Sequence, residues 1–203
     1  MALITNYATL VTAVEDYLAR SDLTTWVPNF LQNSQSRLYR DVRIRDFETA
    51  LSGTISSGVL AVPASFVELK YAYVNRAPVQ FLEKVTPEEI YERWPVRSGS
   101  EVPVAISREA GNFIFGPYPG DYDISGIYYA REALLSASNT TNWFTTNAPD
   151  ILLYGAMYDA MLFIHEDERA ATWKALYDQA FESIHEEEKR ESRSGSAPRV
   201  RVA

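Results

Sequence analysis

Two hydrophobic periods divide this chain, and the switch between them constrains the fold more than any single motif. Over residues 6–19, Leu10, Val11, Val14, Tyr17 and Leu18 recur at spacings of three and four. That is the pattern of an amphipathic helix, with Thr5 as the predicted N-cap. A second helix is predicted from near Thr25 to about Arg43. Its stripe is Val27, Phe30, Leu31, Leu38 and Val42, with Ser34 where a neighbour can pack closely. From Val67 the period becomes two: Val67, Leu69, Tyr71 and Tyr73 face one way, Glu68 and Lys70 the other. This predicts a half-buried strand.

The middle continues in short extended pieces. Ile55 to Val62 reads as a hairpin around Ser57-Gly58, and Val79 to Leu82 as a further strand. Thr86-Pro87-Glu88-Glu89 is a capping-box sequence with proline at the first helical position. Val85 and Ile90 stand at the staple positions, so a short helix should run to about Trp94. Asn112 to Phe115 and Tyr122 to Arg131 read as strands. Their connections are too short for parallel crossovers, which predicts antiparallel pairing. Residues 136–148 read as a polar loop.

The helical period then returns. A third long helix opens at Pro149 and Asp150, with Asn147 as its expected cap and Leu153, Ala156, Met157, Ala160, Met161 and Ile164 as its apolar face. His165-Glu166-Asp167 marks a reversal. A fourth helix carries Trp173, Leu176, Tyr177, Ala180, Phe181 and Ile184, which should pack on the third as an αα-hairpin. The expected class is α+β. Residues 1–45 and 149–191 form a four-helix bundle-like core. Residues 46–148 form an inserted antiparallel β-rich lobe with one short helix. Residues 192–203, rich in small residues, form a flexible tail.

Composition narrows the chemistry. The 203 residues hold no cysteine, which excludes disulfides, thiolate metal sites and cysteine nucleophiles. The net charge of −8 argues against a protein whose main task is to coat nucleic acid. The N-terminus has no basic segment followed by an apolar run, so no signal peptide is expected, and no membrane span is expected either. The sequon Asn139-Thr140-Thr141 reads as a chance match. His165 and His185 sit among acids and read as surface histidines. No nucleophile elbow, Walker loop or His-Glu-x-x-His pattern is present. The expectation is no catalytic residue, no metal and no cofactor. Tyr71, Tyr73, Tyr128 and Tyr129 read as core and interface filler rather than as a stacking platform.

Two basic features stand out. Arg37, Arg40 and Arg43 recur in steps of three on the second helix, a candidate contact for a neighbouring subunit or for passing DNA. Across 189–203, Lys189, Arg190, Arg193, Arg199 and Arg201 face the one acid Glu191, so a basic end follows an acidic body. Val200 and Val202 alternate with the last two arginines. Arg193, Arg199, Val200, Arg201 and Val202 are the candidate docking residues of the tail.

A run of local motifs then carries a resemblance. The run begins with Tyr7-Ala8-Thr9-Leu10, Tyr17-Leu18-Ala19-Arg20 and Ser36-Arg37-Leu38-Tyr39-Arg40-Asp41-Val42-Arg43. It continues with Val62-Pro63-Ala64-Ser65-Phe66-Val67-Glu68-Leu69, Gly116-Pro117-Tyr118-Pro119 and Tyr128-Tyr129-Ala130-Arg131. Thr141-Asn142-Trp143 and Ala148-Pro149-Asp150-Ile151-Leu152-Leu153-Tyr154-Gly155-Ala156 complete it. In order and spacing this resembles the head-to-tail adaptors of short-tailed phages, also called connector or tail tubular proteins. The resemblance implies a helical core with an inserted β-rich lobe. It also implies a structural subunit of the virion, made in the bacterial cytoplasm and joining a ring, typically of twelve. Its implied partners are the portal protein, neighbouring adaptor subunits, the next tail component and the genomic DNA in the channel. In relatives the C-terminal segment enters the portal. Two other classes remain open at this point: a nucleic-acid-binding module using the second helix, and a virion-associated hydrolase.

Overall fold

The computed structural model describes residues 3–193. The chain divides into two compact units, one drawn from Met1–Ile44 and Glu132–Ala203, the other being Arg45–Arg131. The class is mixed α+β.

In the helical unit, α1 (Tyr7–Leu18) is capped by Asn6, not Thr5. Asn6 Oδ1 accepts from the Thr9 amide at 3.0 Å, and Thr9 Oγ1 accepts from the Asn6 amide at 3.0 Å, a reciprocal box. α2 (Val27–Asp41) starts later and ends earlier than the expected span from near Thr25 to about Arg43. Val42 is buried although its backbone is extended, so burial continues past the helix. α4 (Trp143–Asn147) occupies the last part of the stretch 136–148 expected to be a polar loop, while 136–142 are irregular as expected. Asn142 and Thr145 form a second reciprocal box, satisfied by a threonine where the common pattern has glutamate. Asn147 therefore ends α4 and does not cap α5 (Pro149–Phe163).

α5 is apolar on nearly every side: Ile151, Leu152, Leu153, Gly155, Ala156, Met157, Ala160 and Met161 are all buried. A helix of that kind sits at the centre of its unit, and α5 indeed touches α1, α2, α4 and α6 (Asp167–Arg193). His165, in left-handed backbone at φ 60°, reverses the chain between α5 and α6. On α6, Tyr177 and Ile184 are buried; Trp173 and Phe181 are half-buried. Trp173 packs against the rings of Tyr17 and Tyr154.

The stretch from Glu132 to Ala148 belongs to this unit rather than to the lobe. Gln35, buried on α2, accepts the Leu135 amide at 2.8 Å. The Tyr7 amide donates to the Thr140 carbonyl at 2.7 Å, and Tyr39 packs edge-on to Phe144. Backbone groups of an irregular segment need partners, and the helices supply them here.

The second unit holds two four-stranded sheets. The first has the order β1 (Glu48–Thr54), β8 (Asp123–Ala130), β3 (Phe66–Val74), β4 (Gln80–Phe81). The second has the order β2 (Val59–Ala61), β7 (Asn112–Gly116), β6 (Ala105–Glu109), β5 (Glu83–Lys84). Leu51, Leu69, Val74, Ile124 and Tyr128 from the first sheet and Ile106, Phe113 and Phe115 from the second share one core. α3 (Pro87–Arg93) follows β5, with Thr86 Oγ1 accepting the Glu89 amide.

Three strand expectations change. The Ser57-Gly58 turn does not close a two-stranded hairpin. Both residues have positive φ and one bridge joins Ser56 to Val59, but β1 and β2 then enter different sheets. β5 pairs with β6 in parallel, so the lobe is not wholly antiparallel. The strand β3 keeps the predicted alternation only as far as Leu69. Its register against β8 slips twice, between Phe66 and Glu68 and again between Leu69 and Tyr71, leaving Val67 and Lys70 as extra residues. A single inserted residue reverses the parity of everything after it. Ala72 and Val74 are fully buried, while Tyr71 is turned outward.

Candidate assembly surfaces

The arginines of α2 do not form one patch. Arg37 Nη2 pairs with Asp159 Oδ1 of α5, and the two side chains keep only 25% and 12% of their exposure. The Arg37 guanidinium also lies 5.4 Å from the Tyr158 ring centroid and 5.6 Å from that of Tyr177. Arg43 folds back to donate to the carbonyls of Tyr39 at 3.2 Å and Val42 at 2.8 Å, closing the end of α2. Arg40 is exposed.

The polar cluster around Arg37 is incompletely satisfied by protein groups. Arg37 Nη1, Asp159 Oδ2, Tyr177 Oη and Ser34 Oγ are buried without a protein hydrogen-bond partner. Ser34 sits where α2 meets Gly155 of α5; a Cβ at that glycine would collide with Ser34 Oγ and stand 3.2 Å from Tyr177 Cε2. Burial holds the Asp159 carboxyl above its ordinary value, and the Arg37 hydrogen bond and charge offset only part of this. The short ion pair alone suggests the opposite direction. Desolvation prevails because the carboxylate is nearly enclosed and meets one cation. Burial likewise pushes the Tyr177 hydroxyl up to about 12.

Two exposed aromatic surfaces were not legible in the sequence. On the outer face of the first sheet, Tyr71, Tyr73 and Phe81 form a triangle with ring centroids 5.7–6.5 Å apart. Phe81 is 66% exposed. Ile127 and Tyr129 of β8 and Lys70 lie alongside on the same sheet. In the helical unit, exposed Trp26 and Phe163 lie 5.2 Å apart, beside exposed Leu162. Contiguous apolar rings in water are a mark of contact surfaces. The first of these follows from the Lys70 bulge, which no local pattern announces.

Among the described residues no group of three or more metal-binding side chains occurs, and no helix is long and apolar enough to cross a membrane. His165 is exposed, and His185 stands edge-on to Phe181 at 4.6 Å. Arg193 is the last residue of α6, so the helix runs just past the expected start of the tail. Arg199, Val200, Arg201 and Val202 lie outside the described residues.

No curated protein matches the chain. The family model described as SU10 adaptor protein matches residues 5–202, a span that takes in both compact units and every element described above. The match covers nearly the whole chain and not one motif, and the chain therefore belongs to the SU10 adaptor protein family, a family of phage head-to-tail adaptors.

Proposed function

We propose that this protein is a structural, non-catalytic subunit of a ring, of twelve copies in the reading the resemblance suggests, that docks on the portal and joins it to the tail around the DNA channel. The observation that carries the reading is the family match across residues 5–202. The helices α1, α2, α5 and α6 serve in it as a bundle-like core, and the two-sheet unit is the inserted lobe. A ring subunit needs two different faces, one for each neighbour. The exposed aromatic surfaces of the two units supply apolar area for such contacts.

Of the α2 arginines, exposed Arg40 is the one we assign to a neighbouring subunit or to the channel. Arg37 and Arg43 already bind groups of the helical unit, which removes two of the three cations that a DNA-binding face on α2 would use. Arg193, Arg199, Val200, Arg201 and Val202 dock on the portal in this reading. Guanidinium forks suit portal carboxylates, and the alternating valines suit a sheet edge. The role places the protein in the virion, in contact with the portal and with the next tail component.

Co-sedimentation with the portal tests this. The full chain should move into a high-mass ring, and deletion of residues 194–203 should leave folding intact while weakening attachment. Absence of association at every salt concentration would overturn the adaptor reading. Wild-type affinity of the truncated chain would overturn the role given to the tail alone.

A further inference from the structure

Side chains from three helices of the helical unit bring buried polar atoms together without pairing all of them. Arg37 of α2 donates through Nη2 to Asp159 Oδ1 of α5. Among the described residues, Arg37 Nη1 and Asp159 Oδ2 have no hydrogen-bond partner. Tyr177 of α6 is 4% exposed, its ring centroid lies 5.6 Å from the Arg37 guanidinium, and its Oη has no partner among the same residues. Ser34 Oγ, fully buried on α2, belongs to the same cluster, since a Cβ at Gly155 would stand beside both Ser34 Oγ and Tyr177 Cε2. A buried polar atom left without a partner costs more than an ordinary hydrogen bond returns, so folded proteins satisfy nearly all of them.

The chemistry of these atoms defines what can satisfy them. Arg37 Nη1 only donates, an ionised Asp159 Oδ2 only accepts, and Tyr177 Oη does either. A metal ion does not suit the cluster. One carboxylate is far short of the roughly six oxygens of a calcium site, and a guanidinium stands beside it. An anion does not suit it either, because the charges of Asp41, Asp159 and Asp178 all act on the Tyr177 hydroxyl and oppose the one cation, Arg37. A small neutral molecule that both donates and accepts fits all three atoms. Ser34 needs no further partner, because a helix serine can turn to the carbonyl four residues back in its own helix.

We propose that the junction of α2, α5 and α6 is an internal hydration site, in which a water molecule bridges Arg37 Nη1, Asp159 Oδ2 and Tyr177 Oη. The water accepts from the guanidinium and from the tyrosine hydroxyl and donates to the carboxylate, so each atom gains the bond it lacks. Buried waters typically make about three such bonds to otherwise unsatisfied groups. The bridge brings α6 into the polar link between α2 and α5, because it ties the Tyr177 hydroxyl to the ion pair. The inference concerns the helical unit alone and does not depend on ring assembly or portal docking.

The test is a high-resolution crystal structure of the full chain, joined to magnetic relaxation dispersion of the solvent, which counts long-lived internal waters in solution. A water is expected within about 2.5–3.2 Å of Arg37 Nη1, Asp159 Oδ2 and Tyr177 Oη. Tyr177→Phe keeps the ring and removes the hydroxyl, and the water should remain there on the two atoms of the ion pair. The double variant Arg37→Met with Asp159→Leu should lose it, and the count of long-lived waters should fall by about one. Direct hydrogen bonds among the three side chains with no water between them, or an ion in its place, would overturn the proposal. So would loss of the water in Tyr177→Phe, or an unchanged count in the double variant, because the ion pair would then not be what holds it.

Discussion

Arg37 of α2 is ion-paired with Asp159 of α5, 122 positions away in the chain, and both side chains are mostly withdrawn from water. The pair joins the two halves of the helical unit across the inserted lobe. Its energetics follow from burial. Enclosing two charges costs more solvation than one ion pair returns unless every remaining lone pair and proton is satisfied, and here two of those atoms have no protein partner among the described residues.

Removing one partner should therefore be worse than removing both. Arg37→Met should lower stability by about 3 kcal/mol, the low end for buried pairs because Arg37 keeps a quarter of its side chain exposed. Asp159→Leu should act similarly. The double variant should recover most of the loss or exceed wild type. Urea denaturation of the four proteins gives the coupling energy; additive losses would show that the two residues act independently.

The same carboxyl should make stability depend on pH. Burial raises Asp159 above its ordinary 3.8, so the folded state holds this proton more tightly than the unfolded chain does. Its contribution is fully present below 3.8 and is lost as pH rises through the folded value. Asp159→Asn lacks that titration. The stability of wild type relative to Asp159→Asn should fall as pH rises through this window, measured as the difference in urea midpoint. A difference that grows with pH would mean that the Arg37 charge outweighs burial.

Gly155 of α5 lies directly against Ser34 of α2. Alanine normally favours a helix over glycine by about 1 kcal/mol. Here its Cβ would collide with Ser34 Oγ, so Gly155→Ala should destabilise by about 1–3 kcal/mol net. Adding Ser34→Gly should restore part of that loss. A thermal melt of the three proteins distinguishes a steric origin from a general intolerance of change at this position.

The Lys70 bulge sets which side chains of β3 reach the core. Val74→Ala should cost about 2 kcal/mol, while Tyr71→Ala should cost less than about 1 kcal/mol. Unbroken alternation from Val67 requires the reverse order, with Tyr71 inside and Val74 outside. Melting temperatures of the two variants decide between the registers.

Asn142 caps α4, accepting the Thr145 amide at 3.0 Å and donating to Tyr39 Oη at 3.3 Å. Asn142→Ala should cost about 1 kcal/mol, with Asn142→Asp closer to wild type because it keeps the acceptor. Equal losses in chemical denaturation would mean that the bond to Tyr39, not the cap, is what matters.

The sequence by itself determined the elements whose signals are local. The spacing of Leu10, Val14 and Leu18, of Phe30, Leu31 and Leu38, and of Tyr177 and Ile184 marks helices because burial on one side repeats every three to four residues. Thr86 and Pro87 mark a helix start because an N-cap and a fixed φ act within one turn. The order of such motifs along the chain also carried the family. Tertiary structure alone decided the rest. The parity of Tyr71 and Tyr73 depends on pairing with β8, whose residues lie more than fifty positions on. β1 and β6 are strands chiefly because partners lie beside them, and α4 is helical because Gln35, Tyr39 and Glu132 hold its approach. The role of Arg37 was hidden for the same reason. A charged side chain on a helix reads as solvent-facing until a distant carboxylate and two tyrosine rings are packed against it. Local periodicity reports what a segment can bury; only the assembled neighbours determine what it meets there.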